Sequence, residues 1–233
     1  MIPPKPILHR DDPDAEPLVG NIKVTRADWL RVAMDVLVSD GVDQVKVLSL
    51  AERMGVSRSS FYWYFKSRQD LLDALLADWQ STNTAAVVTQ AELPADTITQ
   101  AVCNVQRCVV NPALFDTALD FAVRDWARRS GKVRRMLDQS DTTRLQAICA
   151  MFLRFDYSAD EAATRARVLY YMQLGYDFAQ LNEPAEMRLL RVPQYLYIFT
   201  GQHARPEEVA DFAAYARSFL GGPKSEPDTG ETP

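Results

Sequence analysis

Apolar residues in this chain recur at intervals of three and four, and no run alternates with period two for long enough to demand a sheet. That spacing restricts the fold to helices packed on helices. Thr25 opens the clearest stretch: it can cap a helix, Asp28 follows at the capping-box position, and Trp29, Leu30, Ala33, Met34, Leu37 and Val38 form one stripe before Gly41 stops it. A second short helix fits Val47–Met54, with Leu50 and Ala51 inward and Gly55 at its end. A third fits residues 57–65. Ser67 then caps a fourth, with Leu71, Leu72, Leu75, Leu76 and Trp79 on its buried face. Short helices in close succession, with a glycine in the turn between the second and third, are the pattern of a helix-turn-helix.

The remainder reads as helical too, over roughly 96–109, 112–130, 132–155, 159–182, 185–200 and 206–220, punctuated by Gly131, Pro184 and Gly201. The fourth helix is expected to reach about Ala86, leaving one domain for the next. The fold class expected is all-α. A three-helix helix-turn-helix domain over 22–68 precedes a larger helical domain over 69–221, and residues 1–21 and 222–233 read as disordered tails. No apolar run is long enough to span a membrane, and four acids fall before residue 17, which argues against a secretory signal. The expectation is a soluble cytoplasmic protein.

Cys103, Cys108 and Cys149 form no CxxC, and His9 and His203 stand in unrelated contexts, so no metal site or cofactor is expected. The thiols read as buried, with redox sensing as the alternative. There is no Ser-His-Asp set, glycine-rich phosphate loop or evident carboxylate pair, which argues against an enzyme.

Net charge is −5 and the pI about 5.1, which by itself disfavours a nucleic-acid partner. The distribution says otherwise. "SRSSFYWYFKSR", residues 57–68, holds Arg58, Lys66 and Arg68 and no acid. Wound at 100° per residue, Phe61 and Phe65 fall together on a core face, while Ser59, Tyr62, Trp63 and Lys66 fall opposite. An outward Tyr-Trp pair among hydroxyls and cations suits a DNA backbone, where phenol and indole donate to phosphate. Packing on a neighbouring domain is the other reading.

"VLSLAERMGVSRSSFYWYFKSRQDLLDAL" resembles the DNA-binding domain of the TetR family of bacterial transcription regulators. The resemblance rests on Ala51, Gly55-Val56-Ser57, Phe61-Tyr62, Phe65 and Ser67-Arg68 running into Leu71-Leu72, and the family pattern LYxHFxxKxxLL aligns without a gap on "FYWYFKSRQDLL". It covers about residues 22–79 strongly and the rest only in length and helical order. It implies that Arg58, Ser59 and Tyr62, beside Ser57, read bases. Ser60, Trp63, Tyr64, Lys66, Arg68 and Arg26 would contact phosphates of a double-stranded operator. Relatives often carry a basic arm before the first helix, and here that stretch is acidic, which argues against minor-groove contacts. They also tend to cap the second helix with Thr or Ser. Lys46 stands there instead, as a phosphate donor or a solvated charge.

The family resemblance further implies a homodimer and an effector pocket, and hence a ligand-responsive repressor released by a small molecule. For the dimer, Val209, Phe212, Ala213, Ala216, Phe219 and Leu220 form one stripe, and Ala162, Ala163 and Ala166 a small-residue face, though both would equally suit the subunit core. Candidate pocket residues are Phe115, Phe121, Trp126, Met151, Phe152, Tyr170 and Tyr171, with Arg107, Arg124, Gln173 and Asp177 as polar anchors. Each aromatic could instead be core.

Overall fold

The computed structural model describes residues 24–179, 181 and 183–220, so the two tails expected from the sequence lie outside the described residues. Among these, every regular element is helical. The described residues fold as two compact units: 24–82 with Ala118–Ser140, and Asn83–Thr117 with 141–220. These units are defined by packing and alternate along the chain, whereas the division read from the sequence runs along it.

In the N-terminal unit, α1 (Arg26–Asp40) begins at a complete capping box. Asp28 N–H donates to the Thr25 hydroxyl, and the Asp28 carboxylate accepts from the Thr25 N–H at 2.9 Å. α2 (Val47–Met54) ends at Gly55, whose φ of +63° is the left-handed geometry glycine adopts without strain. α3 is α-helical only over Arg58–Phe61, shorter than the nine residues read from the pattern. Tyr62, Trp63 and Tyr64 continue as i→i+3 turns onto Ser59, Ser60 and Phe61. The aromatics still divide as wound: Phe61 and Phe65 are buried with Trp29, whose ring meets Phe61 edge-on at 5.2 Å.

α4 (Arg68–Trp79) begins at the Ser67 cap and buries Leu71, Leu72, Leu75, Leu76 and Trp79. The chain stays helical past it, through a π turn at Gln80–Thr84 into α5 (Ala85–Glu92). Ser81 and Thr82 both donate their hydroxyls to the Asp78 carbonyl there, a competition that loosens the regular ladder. α7 (Thr117–Ala127) and the first part of α8 (Gly131–Leu153) complete this unit. Buried Asp120 of α7 accepts from Trp79 Nε1 at 2.9 Å and from Arg124 Nε at 2.8 Å.

In the C-terminal unit, α6 (Ile98–Val110) packs against α5, α12 (Pro206–Leu220) and α11 (Val192–Thr200), while α11 also meets α9 (Ala159–Phe178). Two boundaries differ from the sequence reading. The helix expected from Pro112 begins only at Thr117, because the Asn111 carbonyl oxygen of the side chain turns back to Ala113 N–H and Asn83 holds Asp116 by both backbone groups. The helix expected over 185–200 is two, α10 (Ala185–Leu190) and α11, since Pro193 has no N–H for the Leu189 carbonyl. Among the described residues no helix is long and apolar enough to cross a membrane, and no group of three His, Cys, Asp or Glu could hold a metal.

Candidate functional site

α3 rests on α1 through Phe61 and Phe65, and that anchoring determines what faces outward. Trp63 is 77% exposed and Tyr62 49%, unusually high values for large aromatics. Arg58 donates to the Tyr62 hydroxyl at 3.2 Å and lies over its ring, so guanidinium and phenol are presented as one unit. Ser57 and Ser59 share a hydroxyl contact of 2.8 Å, while Ser60 donates to the Ser57 carbonyl. Lys66 is exposed, its N–H held by the Asp70 carboxylate, and its ammonium makes no hydrogen bond or ion pair with a described residue. Arg26 stands over the Phe65 ring at 4.9 Å. Lys46 precedes α2 without capping it and reaches Gln44 at 3.2 Å.

Two of the expected phosphate donors face inward. Tyr64 donates its hydroxyl to the Val24 carbonyl at 2.7 Å. Arg68 spends Nε on the Val45 carbonyl at 2.6 Å and Nη2 on that of Val42. Both groups tie the entry to α1 and the α1–α2 connection to the helices beneath, a use the sequence spacing gives no sign of.

The C-terminal unit holds an apolar cleft between α6, α9, α10, α11 and α12, with about 670 Å³ of empty space that runs into open solvent. Gln106, Val109 and Gln173 belong both to it and to a second cavity of about 500 Å³, so the two adjoin. The second cavity brings together Phe115, Tyr170, Gln173 and Asp177 from the expected set. Beside it Arg144 is fully buried, donating to Thr84 and Tyr170 and lying over Phe115 at 5.2 Å.

The other expected pocket residues scatter. Phe121, Arg124 and Trp126 belong to the N-terminal unit, Arg124 paired with Asp120. Met151 and Phe152 are filled core, Tyr171 is on the surface, and Arg107 borders a separate polar crevice. Sequence reasoning passed over Tyr176, Arg188 and Tyr195, which line the larger cleft; the signal was the continuously apolar stretch around 168–181, read as core.

The apolar stripes assigned to a dimer contact are mostly closed inside the subunit. Ala162, Ala166, Phe212, Ala213 and Ala216 are buried against α6 and α11, because small side chains on those faces let the helices pack within one chain. Ala163 and Val209 are half-buried, Phe219 is exposed, and the Leu220 side chain lies outside the described residues. What α9 does expose is Val168, Tyr171 and Phe178, with Thr164 and Gly175 completing a four-three-four-three spacing, and α10 and α11 add Leu190 and Ile198.

Cys103 and Cys108 are buried, and burial, the largest cause in each case, pushes both thiols up to about 12.

Residues 30–75 match the family model described as bacterial regulatory proteins, tetR family. Over 158 residues the chain is 30% identical to the class A tetracycline repressor protein from transposon 1721 of Escherichia coli, covering 67% of this chain and 65% of that one. Across the curated relatives it matches, the chain spans from 24% to 65% of their length. Among solved structures, Mycobacterium smegmatis AmtR superposes with a TM-score of 0.55 at 15% identity, over 88% of this chain and 98% of the other. Salmonella enterica GusR gives 0.52 at 16%, over 84% and 95%. Identities this low speak for a common fold alone; the family model and the 30% relative speak for descent. On these grounds residues 30–75 form a domain of the tetR family of bacterial regulatory proteins, and the likeness to a tetracycline repressor protein extends beyond that domain.

Proposed function

We propose that the protein is a DNA-binding transcription regulator that acts as a repressor, binding a palindromic operator as a homodimer and leaving it when a small-molecule effector fills the apolar cleft. One observation carries the reading: Tyr62 and Trp63 stand outward beside Arg58, Lys66 and a run of serine hydroxyls, with no acid between residues 57 and 69. Such a surface is costly in water and suited to phosphates and base edges. Arg58, Ser59 and Tyr62 are assigned to bases, and Trp63, Lys66, Arg26 and Lys46 to phosphates.

One helix-turn-helix reads few bases, so two-fold pairing supplies the second half-site. The exposed face of Val168, Tyr171 and Phe178 has the three-four period by which helices pair, and it is the contact proposed for a second copy. Tyr171→Glu should then convert dimer to monomer in sedimentation and weaken operator binding with it.

Mobility shift on the DNA upstream of the protein's own gene, in a salt series, tests the reading as a whole. Trp63→Ala and Lys66→Ala are expected to weaken every sequence alike, Lys66→Ala lowering the log–log salt slope by about 1. Arg58→Ala is expected to relax preference at one base pair per half-site, costing ~1–3 kcal/mol at the cognate site. Salt-independent binding, or none, would mean that the aromatic face docks protein instead.

A further inference from the structure

Cys103 and Phe212 line the apolar cleft and also a second, polar crevice between α6 and the start of α12, with about 550 Å³ of empty space. Its interior holds two polar groups left idle by the fold. Asn104 is 6% exposed, borders the crevice, and its amide makes no hydrogen bond with a described residue. Arg107, three residues on and so on the same helix face, has a buried Nε without a partner while its guanidinium rests on the Tyr215 ring at 5.0 Å. Buried amides and guanidinium N–H groups are normally paired, and leaving them unpaired is disfavoured unless a ligand or water completes them. Together they form a donor set for a carboxylate.

The rim has the opposite character. Asp96, Glu207 and Asp211 are exposed, line the crevice and enter no ion pair among the described residues; Arg205 is the cation beside them. Glu208 also borders the space but is already committed. Burial raises its pKa, yet hydrogen bonds from Thr97, Thr99 and the Arg205 N–H outweigh that and hold it below the ordinary value. A simple anion would cross three carboxylates to reach the interior, and a simple cation would end against Arg107. A small molecule carrying both charges meets both requirements.

We propose that this crevice is a binding site for a small zwitterion of the α-amino-acid type, its carboxylate on Asn104 and Arg107 and its ammonium on Asp96, Glu207 and Asp211. The site is distinct from the apolar cleft and does not rest on the DNA-binding reading.

Calorimetric titration of the full chain with each of the twenty amino acids, and with acetate and putrescine as single-sign probes, tests it. At least one amino acid should bind, with acetate and putrescine about tenfold or more weaker, since each forgoes one set of charge-assisted bonds. Asn104→Leu should abolish binding. Because that side chain is buried, the surface double variant Glu207→Gln/Asp211→Asn is the second arm, and it should weaken binding about tenfold by loss of the ammonium's partners. Gln173→Leu, in the apolar cleft, should leave it unchanged. Absence of any binding at millimolar concentration, putrescine or acetate matching the best amino acid, or binding indifferent to the rim variant would each overturn the proposal, whatever the outcome with DNA.

Discussion

Asp120 and Asn104 are both buried polar side chains on α-helices, one in each unit, and the fold uses them differently. Asp120 accepts from Trp79 and Arg124 and joins α4 to α7. Asn104 makes no hydrogen bond with any described residue. The contrast extends beyond the pair. In the N-terminal unit Arg68, Tyr64 and Gln80 spend their donors on Val42, Val45, Val24 and Ser140, so its polar groups fasten helices and its idle ones lie outside. Trp29 Nε1, buried with no partner among the described residues, is an exception. In the C-terminal unit Arg107 Nε and Gln90 Oε1 are enclosed with no partner among the described residues and the Asn104 amide faces a crevice, while Phe178, Leu190 and Ile198 are exposed. A unit built to hold one shape toward a regular polymer can satisfy itself. A unit that takes up the small molecules proposed above would leave groups for them.

The largest expected effect sharpens this directly. Asp120→Ala removes the acceptor that Trp79 Nε1 and Arg124 Nε share in a buried setting and should lower the unfolding free energy by ~3–5 kcal/mol, read by urea denaturation. Asn104→Leu replaces an unpaired amide by an apolar side chain of similar size and should leave stability unchanged or raise it by up to about 1 kcal/mol. A loss above about 2 kcal/mol for the second would erase the distinction between the units.

Within the N-terminal unit, Arg68 and Lys66 divide two roles that the sequence could not separate. Arg68→Ala frees the Val42 and Val45 carbonyls and should destabilise by ~1.5–3 kcal/mol. Lys66→Ala should alter stability by less than about 0.5 kcal/mol, as exposed substitutions do. If Arg68→Ala is equally silent in denaturation, its carbonyl contacts are dispensable and its role lies toward DNA.

What was legible follows the same line. The Thr25 cap, the Gly55 turn and the inward Phe61–Phe65 pair were readable because each is a local rule: a side chain meeting its own backbone, a φ only glycine favours, a helical period. The inward turn of Arg68 and Tyr64 was not, since their partners lie 23 to 40 residues away. In the C-terminal unit the period located the helices but not their sides. Ala162, Ala166 and Ala216 form stripes whether they face a partner or their own core, and only packing decides. Tyr176, Arg188 and Tyr195, which line the apolar cleft, come from three helices that no spacing connects.

The smallest effect contrasts two carboxylates that do the same work in different settings. Asp28, in the N-terminal unit, is held below its ordinary pKa chiefly by the Thr25 hydroxyl, then by the Thr25 N–H and Arg31. Glu208, in the C-terminal unit, is pushed up by burial but held lower still by Thr97, Thr99 and the Arg205 N–H. A folded pKa below the unfolded one means the unfolded chain binds the proton more readily. Each carboxylate therefore contributes stability that is fully present above its unfolded value, 3.8 for Asp28 and 4.5 for Glu208, and is lost as pH falls through the folded value. Asp28→Asn and Glu208→Gln should each flatten the acid limb of stability between about pH 5 and 2, by at most one proton's worth, ~1.4 kcal/mol per pH unit. Asp28 is partly exposed, so solvent screening keeps its share to a few tenths of a kcal/mol, whereas Glu208 is shielded and should flatten the limb more. Equal slopes in the two variants would mean that burial in the C-terminal unit adds nothing to the linkage, and a steeper acid loss in Glu208→Gln would reverse the sign assigned to it.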